Sequence, residues 1–109
     1  MTTLTIRYIK YINAKQRTIM KIKVKQMTSP RSGRPVANQF IIITSDGKYF
    51  QSYNSVIAFK DNKGNVTLDD YTWDYSRTTG KYRNEFLNEG IVETRAKIES
   101  GKYKLANLN

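Results

Sequence analysis

The chain reads as an α+β protein, a mostly antiparallel β-sheet of five to seven strands with two short C-terminal helices. Three observations predict this. Apolar and polar residues alternate with a period of two from Leu4 to Lys25, which is a strand pattern. Ser45-Asp46-Gly47 and Asp61-Asn62-Lys63-Gly64-Asn65 interrupt the middle of the chain at hairpin spacing. Beyond Ser76 the period changes, with Tyr82 and Phe86 at helical i, i+4 spacing. Strands grouped first and helices later indicate α+β rather than alternating βαβ units. A length of 109 residues suits one domain spanning 1–109, with enough chain to bury a core.

Taken in order, residues 4–25 are expected to form a basic hairpin folding back near Lys15. Residue numbers summing to about thirty then face one another, in the alternation of a paired sheet. Leu4, Ile6, Tyr8 and Ile12 lie with Met20, Ile22 and Val24 on a mostly apolar face. Arg7, Ile9 and Tyr11 lie beside Ile19, Lys21, Lys23 and Lys25 on the other. This register sets Arg7 across from Lys23, and like charges opposite each other weaken a sheet unless an anion relieves them. Residues 27–38 hold both prolines, Gly33, Arg31 and Arg34, and are expected to form an exposed loop. That loop either closes over a phosphate backbone or is a solvated connection.

The sheet is expected to continue over residues 39–69. Gln39 to Thr44 is apolar on both faces and reads as a central strand covered on both sides. Asp46-Gly47 supplies a hairpin turn into Lys48 to Tyr53, and Val56 to Lys60 with Val66 to Asp69 forms the next hairpin. The helical part spans 78–101. Thr78 or Thr79 caps a first helix that runs to Asn88, with Gly90 as its left-handed stop and Lys81 pairing with Glu85. A second helix from Ile91 to Ser100 ends at Gly101, and Lys102 to Leu108 adds a last short strand.

Composition narrows the chemistry. There is no cysteine, hence no disulfide, thiolate nucleophile or Cys-based zinc site. There is no histidine, the commonest general base and transition-metal ligand. No stretch reaches the roughly 18 apolar residues of a membrane span, and the N-terminus lacks a signal-peptide apolar core. The reading is therefore non-enzymatic, without cofactor, metal or membrane, and fits the cytoplasm. The net charge of +10 is lopsided, because residues 1–45 contain no Asp or Glu, whereas the later residues are close to balance. Such asymmetry suits a polyanion or an acidic protein surface.

Candidate contacts follow from that charge. Arg7, Lys21, Lys23 and Lys25 supply the field, Arg31 and Arg34 extend it from the loop, and Tyr11 is placed to stack on a base or to pack under the sheet. Arg77, Lys81 and Arg83 sit at the start of the first helix, where cations oppose the dipole and an anion would be welcome. Thr78-Thr79-Gly80-Lys81 lacks the leading glycine of a P-loop. Tyr71, Trp73 and Tyr75 are expected to pack under the helices. Asp69, Asp70 and Asp74 form the one acidic cluster, but neighbours on a strand point to opposite faces, so capping or pairing with Arg77 or Lys81 is expected rather than a metal site.

The segments NQFIIITSDGKYFQSYNSVIA (Asn38 to Ala58), YTWDYSRTTGKYRNEFL (Tyr71 to Leu87) and IESGKYKLANLN (Ile98 to Asn109) resemble a family of small uncharacterised phage and prophage proteins. The resemblance implies a phage origin, the cytoplasm of an infected bacterium and an α+β domain, and carries over no catalytic residue. The expected function is binding of nucleic acid, DNA or RNA, through a basic sheet face, mostly by phosphate contacts. The alternative is a protein that inhibits a host nucleoprotein complex of the restriction, CRISPR or transcription type. It would not act as a DNA mimic, since mimicry needs an acidic surface.

Overall fold

The computed structural model describes residues 22–109. The first strand of the expected hairpin, its turn, and Arg7, Tyr11 and Lys21 lie outside the described residues. The rest is an α+β fold. Its elements are β1 (Lys23–Thr28), β2 (Pro35–Thr44), β3 (Gly47–Ser52), β4 (Ser55–Asp61), β5 (Val66–Asp69), α1 (Arg77–Leu87), α2 (Ile91–Glu99) and β6 (Lys104–Ala106). The strands form one sheet in chain order. All neighbours are antiparallel except β5 and β6, which are parallel. Parallel neighbours need a crossover, and here both helices make it.

Cross-strand partners reveal which side each residue occupies. Lys25, Ile41, Phe50, Ala58 and Leu68 form one row. Phe50 stacks on Phe86 of α1, ring centres 5.9 Å apart, so this row faces the helices. Phe50, Ile57, Ala58, Leu68, Tyr82, Phe86, Leu87 and Tyr103 build the core there. Gly47 lets β3 approach β4 closely at the edge of this region. A Cβ on it would come within 2.2 Å of the Lys60 carbonyl oxygen, and its φ of +148° is one that L side chains avoid.

Several elements depart from expectation. β1 does not stop near Gln26: pairing with β2 carries it to Thr28, and Met27 joins the core. The expected loop of residues 27–38 shrinks to 29–34, closed by Gly33 N–H donating to the Ser29 carbonyl at 2.8 Å. Pro35 starts β2, where a missing N–H is tolerated. β2 is second in the sheet, not fully covered, and Phe40, Ile41 and Ile43 are only half-buried. Ser76, rather than Thr78 or Thr79, caps α1 by accepting from the Thr79 N–H at 3.1 Å. Asn88, with φ of 55°, supplies the left-handed stop, and Gly90 instead precedes α2 in an extended conformation.

Candidate functional site

The first helix packs chiefly on β3 and β4; Met27 of β1 and Ile41 of β2 reach the edge of that core, while Lys23 and Lys25 of β1 stay exposed. On the helix-facing side, the row next to Lys25 runs Lys23, Ile43, Lys48, Lys60 and Val66 across five strands. Lys48 and Lys60 are direct cross-strand partners, an arrangement that disfavours the sheet. Lys60 is relieved internally. Its ammonium sits 5.4 Å from the centre of the Phe86 ring and donates to the Phe86 carbonyl at 3.4 Å, in the last turn of α1, where a cation complements the dipole. Lys48, Lys23 and Lys25 are exposed. A cleft of about 410 Å³ opens beside them, lined by Met27, Ile41, Lys48, Lys60, Glu85 and Phe86 among others. Phe86 is thus engaged by both Phe50 and Lys60. Asp61 also borders the cleft, but its carboxylate organises the β4–β5 turn through Asn65 and the Lys63 N–H.

Cations of the helical part behave differently. Arg83 was expected to extend the cationic face, yet it is 1% exposed. It donates to the Trp73 carbonyl at 2.8 Å, Asp74 at 3.0 Å and Asn84 at 2.9 Å, and lies over the Trp73 ring. The spacing in α1 explains this, because Arg83 shares the inward side of the helix with Thr79 and Phe86. Arg95 reaches the same Asp74 at 3.4 Å, so that acid serves neither Arg77 nor Lys81. Lys97 donates to Glu89 at 2.6 Å, where Thr94 and Tyr103 hydroxyls also donate, at 2.5 and 2.8 Å. Burial pushes the Glu89 carboxyl up, but these three donors outweigh it and hold the group below its ordinary value. The same Glu89 bond raises Lys97, while burial, ahead of Glu89, raises Tyr103. Asp69 is a further structural acid. Burial raises it, but the Leu108 N–H and Thr72 lower it more.

Every ion pair among the described residues therefore involves Asp74 or Glu89 with Arg83, Arg95 or Lys97. Lys23, Lys25, Arg31, Arg34, Lys48, Arg77 and Lys81 take part in none. Lys81 lies over its neighbour Tyr82 instead of pairing with Glu85. Six of these seven cations fall into two groups. Lys23, Lys25 and Lys48 flank the cleft near the β2–β3 turn. Arg31 and Arg34, in the β1–β2 turn, lie at the opposite end of the strands, toward which the N-terminus of α1 with Arg77 also points through a 2.8 Å hydrogen bond between Thr79 and Ser52.

Lys48 escaped the sequence reading, because it stands beside a turn with an acid two residues before it. A cross-strand alignment of Lys48 with Lys60 could have found it. Tyr71 and Tyr75, expected in the core, are 88% and 47% exposed; only Trp73 of the three is half-buried. The short loop before α1 turns on Asp69, which accepts from the Tyr71 and Thr72 N–H groups and so points the intervening ring outward. Among the described residues, no three His, Cys, Asp or Glu side chains gather to hold a metal ion, and no helix is long and apolar enough to cross a membrane. Residues 22–104 match a family of unknown function (DUF8033), and the match includes the two longer segments, 38–58 and 71–87, singled out above. No curated protein and no solved structure matches the chain.

Proposed function

We propose that this chain, which belongs to the family DUF8033, binds nucleic acid without catalysing a reaction, chiefly through phosphate contacts from the helix-facing side of β1 to β3. The observation that supports this reading is the segregation of ion pairs. Lys23, Lys25 and Lys48 are exposed on one side of the sheet and form no ion pair among the described residues, while the ion pairs that do form take Arg83, Arg95 and Lys97 onto Asp74 and Glu89. With Lys60 held at the C-terminal end of α1, its cross-strand partner Lys48 is the cation of the pair that a phosphate would reach. The phage origin and the bacterial cytoplasm belong to the same proposal.

The test is a gel shift with single- and double-stranded DNA and RNA over a salt series. Three phosphate contacts, one from each of Lys23, Lys25 and Lys48, weaken binding roughly 40-fold between about 50 and 200 mM salt. Absence of any shift at about 50 mM salt rejects the reading, and capture of a host protein by the same surface then becomes the question to pursue.

A further inference from the structure

Locally unfavourable features concentrate at the end of the sheet that holds the β3–β4 turn. Tyr53 occupies that turn with φ of 56°, a left-handed conformation rare for a bulky side chain, at a hairpin position that glycine ordinarily fills. Its N–H donates to the carbonyl of Asn38, itself left-handed at φ of 66°, at 2.7 Å, and its carbonyl accepts from the Gln51 side chain at 2.8 Å. Next to Asn38, the Gln39 side chain is fully buried with neither amide atom partnered. Strain persists only where surroundings enforce it, and it collects where a ligand is gripped. The enforced outcome here is a tyrosine ring 44% exposed at the tip of a turn.

The other two exposed tyrosines among the described residues border the same turn. Tyr71 precedes Thr72, whose hydroxyl lies 3.3 Å from the Val56 carbonyl, just past the turn. Tyr75 precedes Ser76, the cap of α1, and Thr79 in that first turn bonds Ser52 on the near side. Arg77 is exposed at the first position of α1, whose opening turn contains no acid. Arg31 and Arg34 sit on the β1–β2 turn that overhangs this end. Exposed rings interleaved with unpaired cations match the two needs of an unpaired strand, stacking for its bases and charge for its phosphates. A duplex offers only the second, because its bases are already stacked.

We propose that this end of the sheet holds single-stranded nucleic acid, with Tyr53 as the base-stacking platform and Arg77, Arg31 and Arg34 on the backbone; this rests on the nucleic-acid reading above. Tyr53→Gly is the informative variant, since it removes the ring while releasing the backbone strain. The experiment is fluorescence anisotropy of the full chain with a labelled oligonucleotide of about 20 nucleotides, free and as its duplex, for wild type, Tyr53→Gly and Tyr53→Phe, with a thermal melt of each protein. Single-strand affinity is expected to exceed duplex affinity. Tyr53→Gly should weaken the single strand roughly five- to a hundredfold, the worth of one base stack, without lowering the melting temperature, and leave the duplex nearly unchanged. Tyr53→Phe should keep single-strand binding. Equal affinity for both forms, with Tyr53→Gly binding like wild type, overturns the stacking inference but leaves the phosphate reading standing. No binding of either form overturns both.

Discussion

Arg83 and Lys48 are both cations on the helix-facing side of one sheet, and the fold treats them in opposite ways. Arg83 is enclosed, its guanidinium divided among Trp73, Asp74 and Asn84. Lys48 stands exposed opposite a second lysine and forms no ion pair among the described residues. The difference extends to their regions. Around α1 and α2, charge is used to build structure at Asp74 and Glu89, each of which takes particular donors. Across β1 to β3, Lys23, Lys25 and Lys48 form no ion pair among the described residues. Positive charge in a small protein thus has two uses that composition cannot separate, and only partners distinguish them.

The contrast breaks most visibly at Arg83. Arg83→Leu is expected to cost about 3 kcal/mol in denaturant unfolding, because it removes a buried guanidinium shared among the Trp73 carbonyl, Asp74 and Asn84. Arg83→Lys should recover little of that, since a single ammonium cannot span three acceptors held by a planar fork. Unchanged stability in either variant would dissolve the division drawn here.

Glu89→Gln is next, at about 2 kcal/mol near neutral pH, through loss of the charge-assisted bonds from Lys97, Thr94 and Tyr103. It also tests pH dependence. Glu89 and Asp69 both titrate below their ordinary values when folded, so their contribution is complete above about pH 5 and lost as pH falls through the folded values. Lys97 and Tyr103 are both raised, so their contribution is complete below about pH 10 and lost as pH rises further. Melting temperature against pH should therefore drop at both extremes, with a shallower acid limb in Glu89→Gln. An acid limb of unaltered steepness would mean that Glu89 is not the group responsible.

Lys48→Glu sharpens the comparison from the other side, with the smallest effect on stability and the opposite sign. Replacing a like-charged cross-strand pair by an oppositely charged one should stabilise the sheet by about 0.5 kcal/mol. The same substitution should weaken oligonucleotide binding and make the logarithmic salt dependence shallower by about one phosphate or more. A variant that is less stable, or that binds as wild type, places Lys48 among the structural cations. In the same spirit, Lys23→Gln should leave stability within about 0.5 kcal/mol while reducing the salt slope by about one.

Much of the fold was legible because its signals are local. Asp46-Gly47 and the 61–65 turn fall where expected, and the Tyr82–Phe86 spacing marks the buried side of α1. Boundaries were less so: Met27 looked like loop until its pairing with β2 placed it in the core. Individual site residues were the least legible. Arg83 and Arg77 are both arginines near one helix start, and nothing in their neighbours announces that one is enclosed and the other solvated. Tyr71 was misplaced for a related reason, since an aromatic in a polar segment is ordinarily sheltered, and only the bonds to Asp69 turn it outward.

By itself, the order of residues determined the element types, the turns and the excess of positive charge near the beginning, because hydrophobic period, turn chemistry and charge count are properties of neighbours along the chain. Tertiary structure alone decided that Lys48 meets Lys60, that Asp74 gathers Arg83 and Arg95, and that Tyr53, Tyr71 and Tyr75 border one end of the sheet. Those are relations between residues distant in sequence, set by strand register and by how far two short helices can reach across six strands. A charge or a ring acquires its role from what stands opposite it, and that is a matter of packing.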